Sequence, residues 1–217
     1  MLYIKNLSKT YLSTEGTQTV LNKLNLTLEQ GASMAILGES GSGKSTLLNI
    51  IAGLEKPDRG LVRVNGLNVW STLEHERARI RREHVSVIFQ QYNLIPSLNI
   101  IENIEFHARL MNKLDVKFVN KVVKTLRLQN VLKKYPEQTS GGQQQRAAIA
   151  RAIVSKPNLI LADEPTGNLD EENTQRVIQM LTLMLTRSNT TLLVATHSQS
   201  LSTKLNSKLI LSKGALK

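Results

Sequence analysis

Residues Gly38-Glu-Ser-Gly-Ser-Gly-Lys-Ser45 constrain this chain more than any other stretch, because they match the spacing G-x-x-x-x-G-K-[ST] in full. An apolar run, Met34 to Leu37, precedes them. Leu47, Leu48, Ile50 and Ile51 follow and read as one buried helix stopped by Gly53 and Pro57. A strand that passes through glycines into a helix can aim consecutive backbone N–H groups at a phosphate, and the helix adds the positive end of its dipole. Lys44 is then placed to reach the β- and γ-phosphates of a nucleoside triphosphate, and Ser45 to offer a hydroxyl to Mg²⁺. The plain alternative is a chance Gly/Ser-rich loop, which with glycine near 7% of average sequence arises on the order of once in a hundred chains of this size. Gly38, Glu39, Ser40, Gly41, Ser42, Gly43, Lys44, Ser45 and Thr46 are therefore the nucleotide-binding candidates.

The surrounding pattern fits such a loop. Leu2, Ile4 and Leu7 against Lys5, Asn6 and Lys9 read as a strand, and Val20 to Leu28 as a second extended stretch. Leu61 to Val64 with Asn65-Gly66 reads as a strand and tight turn, Glu74 to Glu83 as a charged helix, and Val85 to Phe89 as a buried strand. Ile100 to Lys134 is helical in pattern throughout. Strand–helix alternation returns with Leu159 to Ala162, Glu171 to Thr186 and Leu192 to Ala195. Alternation of this kind implies an α/β fold with a parallel sheet covered on both faces. The expectation is one domain over residues 1–217: a mostly parallel core at about 1–90 and 155–217, an N-terminal antiparallel β subdomain, and a helical subdomain inserted at about 91–154.

Composition narrows the chemistry. The chain has no cysteine, which removes disulfides, thiol nucleophiles and cysteine zinc sites. No apolar run approaches the roughly 18 residues that span a bilayer, and the alternating first residues lack the apolar region of a signal peptide. A soluble, cytoplasmic chain is expected. The 28 Lys and Arg against 17 Asp and Glu leave +11, compatible with nucleic acid, an anionic membrane surface or a solvated basic face.

Leu159-Ile-Leu-Ala-Asp163-Glu164 is an apolar strand that ends in two carboxylates. The C-terminal end of a buried parallel strand opens onto the ligand edge of its sheet. Asp163 is placed there to hold Mg²⁺ through water, and Glu164 to orient or deprotonate the attacking water. An acidic helix cap would be the reading of an isolated Asp-Glu; a phosphate loop in the same chain favours catalysis.

With these residues in view the chain resembles the ATP-binding cassette (ABC) ATPases over essentially its whole length. Thr139-Ser140-Gly141-Gly142-Gln143, followed by Gln144-Gln145-Arg146, is similar to that family's signature, although Thr139 stands where Leu is usual. Two glycines at a helix start leave N–H groups free for an anion. The resemblance implies that Ser140, Gly141, Gly142 and Gln143 bind the γ-phosphate held by a second subunit, so that ATP is sandwiched in a head-to-tail homodimer. It also implies a Q-loop role for Gln90, touching Mg²⁺ and coupling to a transport domain. His197 resembles the switch histidine at the γ-phosphate, with Ser198 where Asp is usual. Asp170, in Gly167-Asn168-Leu169-Asp170, resembles the aspartate that bridges subunits. Tyr11 fits the aromatic that stacks on adenine, with Tyr3 and Tyr92 as rivals and a structural tyrosine as the plain alternative.

The run Asp163-Glu-Pro-Thr-Gly-Asn-Leu-Asp170 is similar to the lipoprotein-release, macrolide-efflux and cell-division group of these ATPases. That group implies an integral-membrane permease with few transmembrane helices and a large extracytoplasmic domain. The subunit would lie peripherally on the inner face of the membrane and use ATP and Mg²⁺ for export, substrate release or force transmission. A soluble ABC ATPase acting on nucleic acid is the competing class. It fits less well, because the stretch between Lys44 and Asp163 has no room for a long coiled coil, only one cassette is present, and no aromatic-interleaved basic stripe occurs. No nucleic-acid partner is expected. Lys44→Ala is expected to abolish tight ATP binding, since the loop loses its cation; equal ATP affinity of variant and parent by calorimetry would overturn the assignment.

Overall fold

The distribution of apolar side chains sorts the strands into two sheets. A computed structural model describes residues 1–13, 16–70, 73–167 and 169–217; Asn168, in the run from Asp163 to Asp170, lies outside them. Strands β1 (Leu2–Ser13), β2 (Gly16–Leu28), β4 (Arg59–Val64) and β5 (Leu67–Asn68) form an antiparallel sheet in the order β2-β1-β4-β5. Each of the longer ones buries alternate residues, as a half-covered sheet requires. Strands β3 (Ser33–Leu37), β6 (Val85–Ile88), β7 (Leu159–Asp163), β8 (Thr191–Ala195), β9 (Ser207–Ser212) and β10 (Ala215–Leu216) form the second sheet in the order β10-β9-β3-β8-β7-β6. All its pairs are parallel except β9 with β10.

Strands β3, β7 and β8 are apolar runs buried on both faces, and their successive residues serve opposite cores. Leu159 and Leu161 of β7, with Leu193 and Ala195 of β8, join a cluster with Leu2, Val62 and the helix α1 (Lys44–Ile51). Ile160 and Ala162, with Leu192 and Val194, join the other cluster. That second cluster gathers α3 (Ile100–Leu110), α4 (Val116–Thr125), α5 (Gly141–Val154) and α6 (Glu171–Ser188). The antiparallel sheet and the helical segment thus cover opposite faces of the parallel sheet.

Differences from the sequence reading have local causes. The Val85 strand stops at Ile88, one residue early. The helical stretch breaks into α3 and α4 at Asn112, whose φ is 53°, and Asp115 caps α4 by accepting from Phe118 N at 3.0 Å. Strand β9 gave no sequence signal: only Leu211 of its residues is buried, so no alternation marks it, yet it pairs in parallel with β3. The charged helix α2 (Glu74–His84) buries only Ile80.

Asn103 anchors the second half of the loop from Phe89 to Asn99. Asn103 of α3 is fully buried; its Oδ1 accepts from Ile95 N at 2.8 Å, and its Nδ2 donates to the carbonyls of Ile95 (3.0 Å), Leu98 (2.9 Å) and Asn99 (3.1 Å). Asn103→Ala strands those groups and is expected to cost about 1–3 kcal/mol of stability. A urea unfolding midpoint unchanged from the parent would show that the loop finds other partners.

Candidate functional site

The phosphate loop joins the end of β3 to the start of α1, and glycine is required where it passes its neighbours. A Cβ on Gly43, whose φ is 101°, would lie 2.4 Å from Val20 Cγ1, and one on Gly38 would lie 2.5 Å from Leu211 O. Lys44 is buried, and its Nζ donates to the carbonyls of Gly38 (2.8 Å) and Glu39 (2.9 Å). The loop is thereby curled around its own cation. Ser42 Oγ is buried with no hydrogen-bond partner, a donor left for a ligand.

Strands β7 and β8 lie side by side with Asp163 opposite Ala195, so their ends present Asp163-Glu164 and Thr196-His197 together. Glu164 adopts a left-handed φ of 45° while its N–H donates to Ala195 O at 2.9 Å. Strain of this kind is held in place by surrounding structure and gathers at functional sites. Its Oε2 accepts from His197 N at 3.2 Å and Thr196 Oγ1 at 3.3 Å. Its buried Oε1 lies 3.3 Å from His197 Nε2 and makes no hydrogen bond. His197 Nε2 also lies 3.4 Å from Lys44 Nζ. Thr196, which the sequence did not single out, completes the carboxylate's support; a threonine beside the histidine was its only signal.

Tyr11, Lys44, Ser45, Thr46, Gln90, Asp163, Glu164 and His197 line one cavity of about 640 Å³, with Gln18 and Val20 of β2 among the walls. Among the described residues no group of three His, Cys, Asp or Glu could hold a metal. One carboxylate, one hydroxyl and one amide oxygen instead suit a Mg²⁺ that keeps water and takes its other ligands from nucleotide phosphates. Tyr11 reaches this cavity, and Tyr3 and Tyr92 do not. Its hydroxyl donates to Glu55 Oε1 and lies 3.2 Å from Thr46 Oγ1; burial, then the Glu55 bond, pushes the phenol above its usual range. Gly38, Glu39 and Ser42 line an adjoining cavity of about 740 Å³, which shares Ser40, Gly41 and His197 with the first.

Ser140, Gly141, Gly142, Gln143 and Asp170 line neither cavity. Ser140 is exposed and caps α5: its Oγ accepts from Gln143 N at 3.4 Å while Gln143 Oε1 accepts from Ser140 N at 3.0 Å. Thr139 Oγ1 donates to Pro136 O at 2.7 Å, closing the preceding turn. Asp170 caps α6 by accepting from Asn173 N at 2.8 Å. That bond, the Asn173 side chain and then Arg146 and Arg176 hold its carboxyl below the usual range.

A model of the ABC transporter family matches residues 21–167. The chain is 38% identical over 219 residues to the lipoprotein-releasing system ATP-binding protein LolD 1 of Rhodopirellula baltica, covering 100% of this chain and 96% of that protein. It is 39% identical over 204 residues to an uncharacterized ABC transporter ATP-binding protein of Mycobacterium tuberculosis, covering 93% and 82%. Among solved structures it resembles the dimeric ATP-binding cassette MJ0796 in a post-hydrolysis state bound to ADP and Pi. The TM-score is 0.92 at 35% identity, covering 100% of this chain and 97% of that one.

Thr196→Val keeps the side-chain shape and removes two bonds, one accepted from Ser198 N at 3.0 Å and one donated to the Glu164 carboxylate, the latter worth about 1.5–3 kcal/mol when charge-assisted. ATP turnover is expected to fall about tenfold with ATP affinity retained. Parental steady-state kinetics would mean that Glu164 needs no such support.

Proposed function

Because the chain belongs to the ABC transporter family, we propose that two copies of it pair head to tail and drive a pair of membrane permeases. It is an ATPase, and ATP with Mg²⁺ is what its cavity suits. The observation that carries the pairing is the division of the anion-binding parts: the phosphate loop and acidic strand ends share one cavity, while the N-terminus of α5 at Ser140–Gly142 borders none of it. A second copy, inverted, would supply that helix end to the first copy's nucleotide. The dimeric state named for MJ0796 supports the same pairing.

In this reading Lys44 and the backbone of residues 38–46 hold the β- and γ-phosphates, and Tyr11 stacks on adenine. Ser45, Gln90 and Asp163 would hold Mg²⁺, which neutralises phosphate charge when bound. Glu164, its Oε2 fixed by Thr196 and His197, keeps Oε1 for the attacking water. His197 and Gln90 respond to the γ-phosphate, and Asp170 bridges the copies. The segment about 91–154 is the helical subdomain that meets the permease. A permease helix would lie beside Gln90 and Ile95; next to Gln90, at Phe89, a groove of about 300 Å³ has Leu54, Val87 and Leu110 in its walls with Arg81, Arg82 and His107 among them. Burial, then Arg151, pushes the His107 imidazole below its usual range.

The permease has few transmembrane helices and a large extracytoplasmic domain. Its cargo is released or expelled at the outer face, as the lipoprotein-releasing name of the LolD relatives suggests. Among the described residues no helix is long and apolar enough to cross a membrane. The chain would attach to the cytoplasmic face through the permease, with its basic excess toward anionic lipid.

Glu164→Gln keeps shape and hydrogen bonds but loses the base, so it is expected to bind ATP and stall as a closed dimer. Light scattering is expected to give about twice the monomer mass with Mg-ATP and monomer with Mg-ADP. A variant monomeric at saturating ATP, both alone and with the permease in nanodiscs, would sink the pairing. Gly142→Asp puts a carboxylate where the second copy's γ-phosphate belongs; turnover is expected to collapse while single-subunit ATP binding survives. Parental turnover would remove Ser140–Gly142 from the site.

A further inference from the structure

Arg151 of α5 is a buried guanidinium, and the polar partners the structure gives it are carbonyls. Nη1 donates to Asn93 O at 2.8 Å and Nη2 to Tyr92 O at 3.2 Å. No ion pair joins it among the described residues, and burial alone holds its pKa below the usual range. A buried cation without a carboxylate is expensive unless its donors are used. Here they are used on the segment that directly follows Gln90.

That segment is held at further points. Asn93 has φ 47°, a turn conformation that Asn tolerates better than most residues and that the Arg151 bond fixes. The Tyr92 hydroxyl lies 2.8 Å from where a Cβ on Gly141 would stand, so the segment touches α5 again at that helix's first residue. Asn103 binds its far end at Ile95. One short stretch therefore links Gln90, which lines the cavity with Lys44 and Glu164, to the N-terminus of α5, which lines neither cavity of its own chain. Arg151 also lies in the wall of the groove beside Phe89 and His107.

We propose that Arg151 is a positioning residue that ties the Gln90 segment to α5, so that a displacement of Gln90 at one nucleotide is delivered to Ser140 and Gly142 at the other. The proposal rests on the head-to-tail pairing. A helix is stiff along its axis, so a shift imposed at Arg151 reaches Gly141 nearly whole. Without the two carbonyl bonds the link between the Gln90 segment and α5 is reduced to packing such as the Tyr92 contact at Gly141, and a displacement of Gln90 is transmitted less completely.

Arg151→Lys keeps the charge but not the two-pronged geometry, and Arg151→Met keeps the stem with no donor. Both are expected to retain the parental KM for ATP within about twofold while kcat falls about tenfold in the Lys variant and further in Met, each lost charged bond weighing in turnover alone. Turnover is expressed per ATP-binding site titrated in each preparation, which removes any loss of folded protein from kcat, and the Lys variant decides if the Met variant does not fold. The second arm uses Gly142→Asp, whose carboxylate is expected to repel the second copy's nucleotide and so prevent pairing, and follows hydrogen exchange with and without Mg-ATP. ATP is expected to slow exchange at residues 90–95 and to alter it at 140–145; adding Arg151→Lys should preserve the first change and abolish the second. Parental kcat in both Arg151 variants, or an ATP effect at 140–145 that persists in the Lys variant, overturns the proposal. Because the exchange arm needs no dimer, it judges Arg151 even where Glu164→Gln fails to dimerise, an outcome that counts against the pairing alone.

Discussion

Parallel pairing of four neighbouring strands is the constraint from which the rest of the molecule follows. β3, β8, β7 and β6 lie in that order and point the same way, so their C-terminal ends open on one edge of the sheet. From those ends come, in the same order, the loop with Lys44, the pair Thr196-His197, the pair Asp163-Glu164, and Gln90. A crossover between parallel strands must travel back across the sheet, so each strand end is free to carry a short loop. Chemistry drawn from sequence positions as distant as Lys44 and His197 is thus gathered within 3.4 Å.

Burial on both faces makes this arrangement rigid. Ile160 and Leu161 are adjacent in β7 and nearly inaccessible, yet they belong to cores on opposite sides. Shifting β7 by one residue would send each into the wrong core, so its register with β8 is firmly set. The left-handed Glu164 at its end can then be held without relaxing. The helical segment has a different anchorage. It is pinned to the sheet's ligand edge through buried polar side chains, Asn103 and Arg151, that bind loop backbone between Tyr92 and Asn99.

How far the site was legible varies with the kind of signal each residue leaves. Lys44, Asp163 and Glu164 belong to contiguous motifs whose spacing reflects a local requirement: glycines for a tight turn and carboxylates at the end of an apolar strand. The fold class was equally readable, since the alternation of apolar runs with helical spacings persists along most of the chain. Thr196 and Arg151 left no such mark, because their partners are contributed by strands or loops far away in sequence. Strand β9 was invisible for a related reason: its place beside β3 comes from backbone pairing, and its side chains are mostly exposed.

From the residues alone the chain determined a phosphate loop between a strand and a helix, a buried acidic strand end, and a capped helix opening with two glycines. Each of these needs only neighbours a few residues away, and local sterics and hydrogen bonding dictate it. Tertiary structure alone decided that Glu164 leans on Thr196 and His197, that Tyr11 rather than Tyr3 or Tyr92 reaches the cavity, and that Ser140–Gly142 stand apart from it. Those outcomes depend on strand order and on which face of the sheet each helix covers, and both are set by burial summed over the whole chain rather than by any one segment.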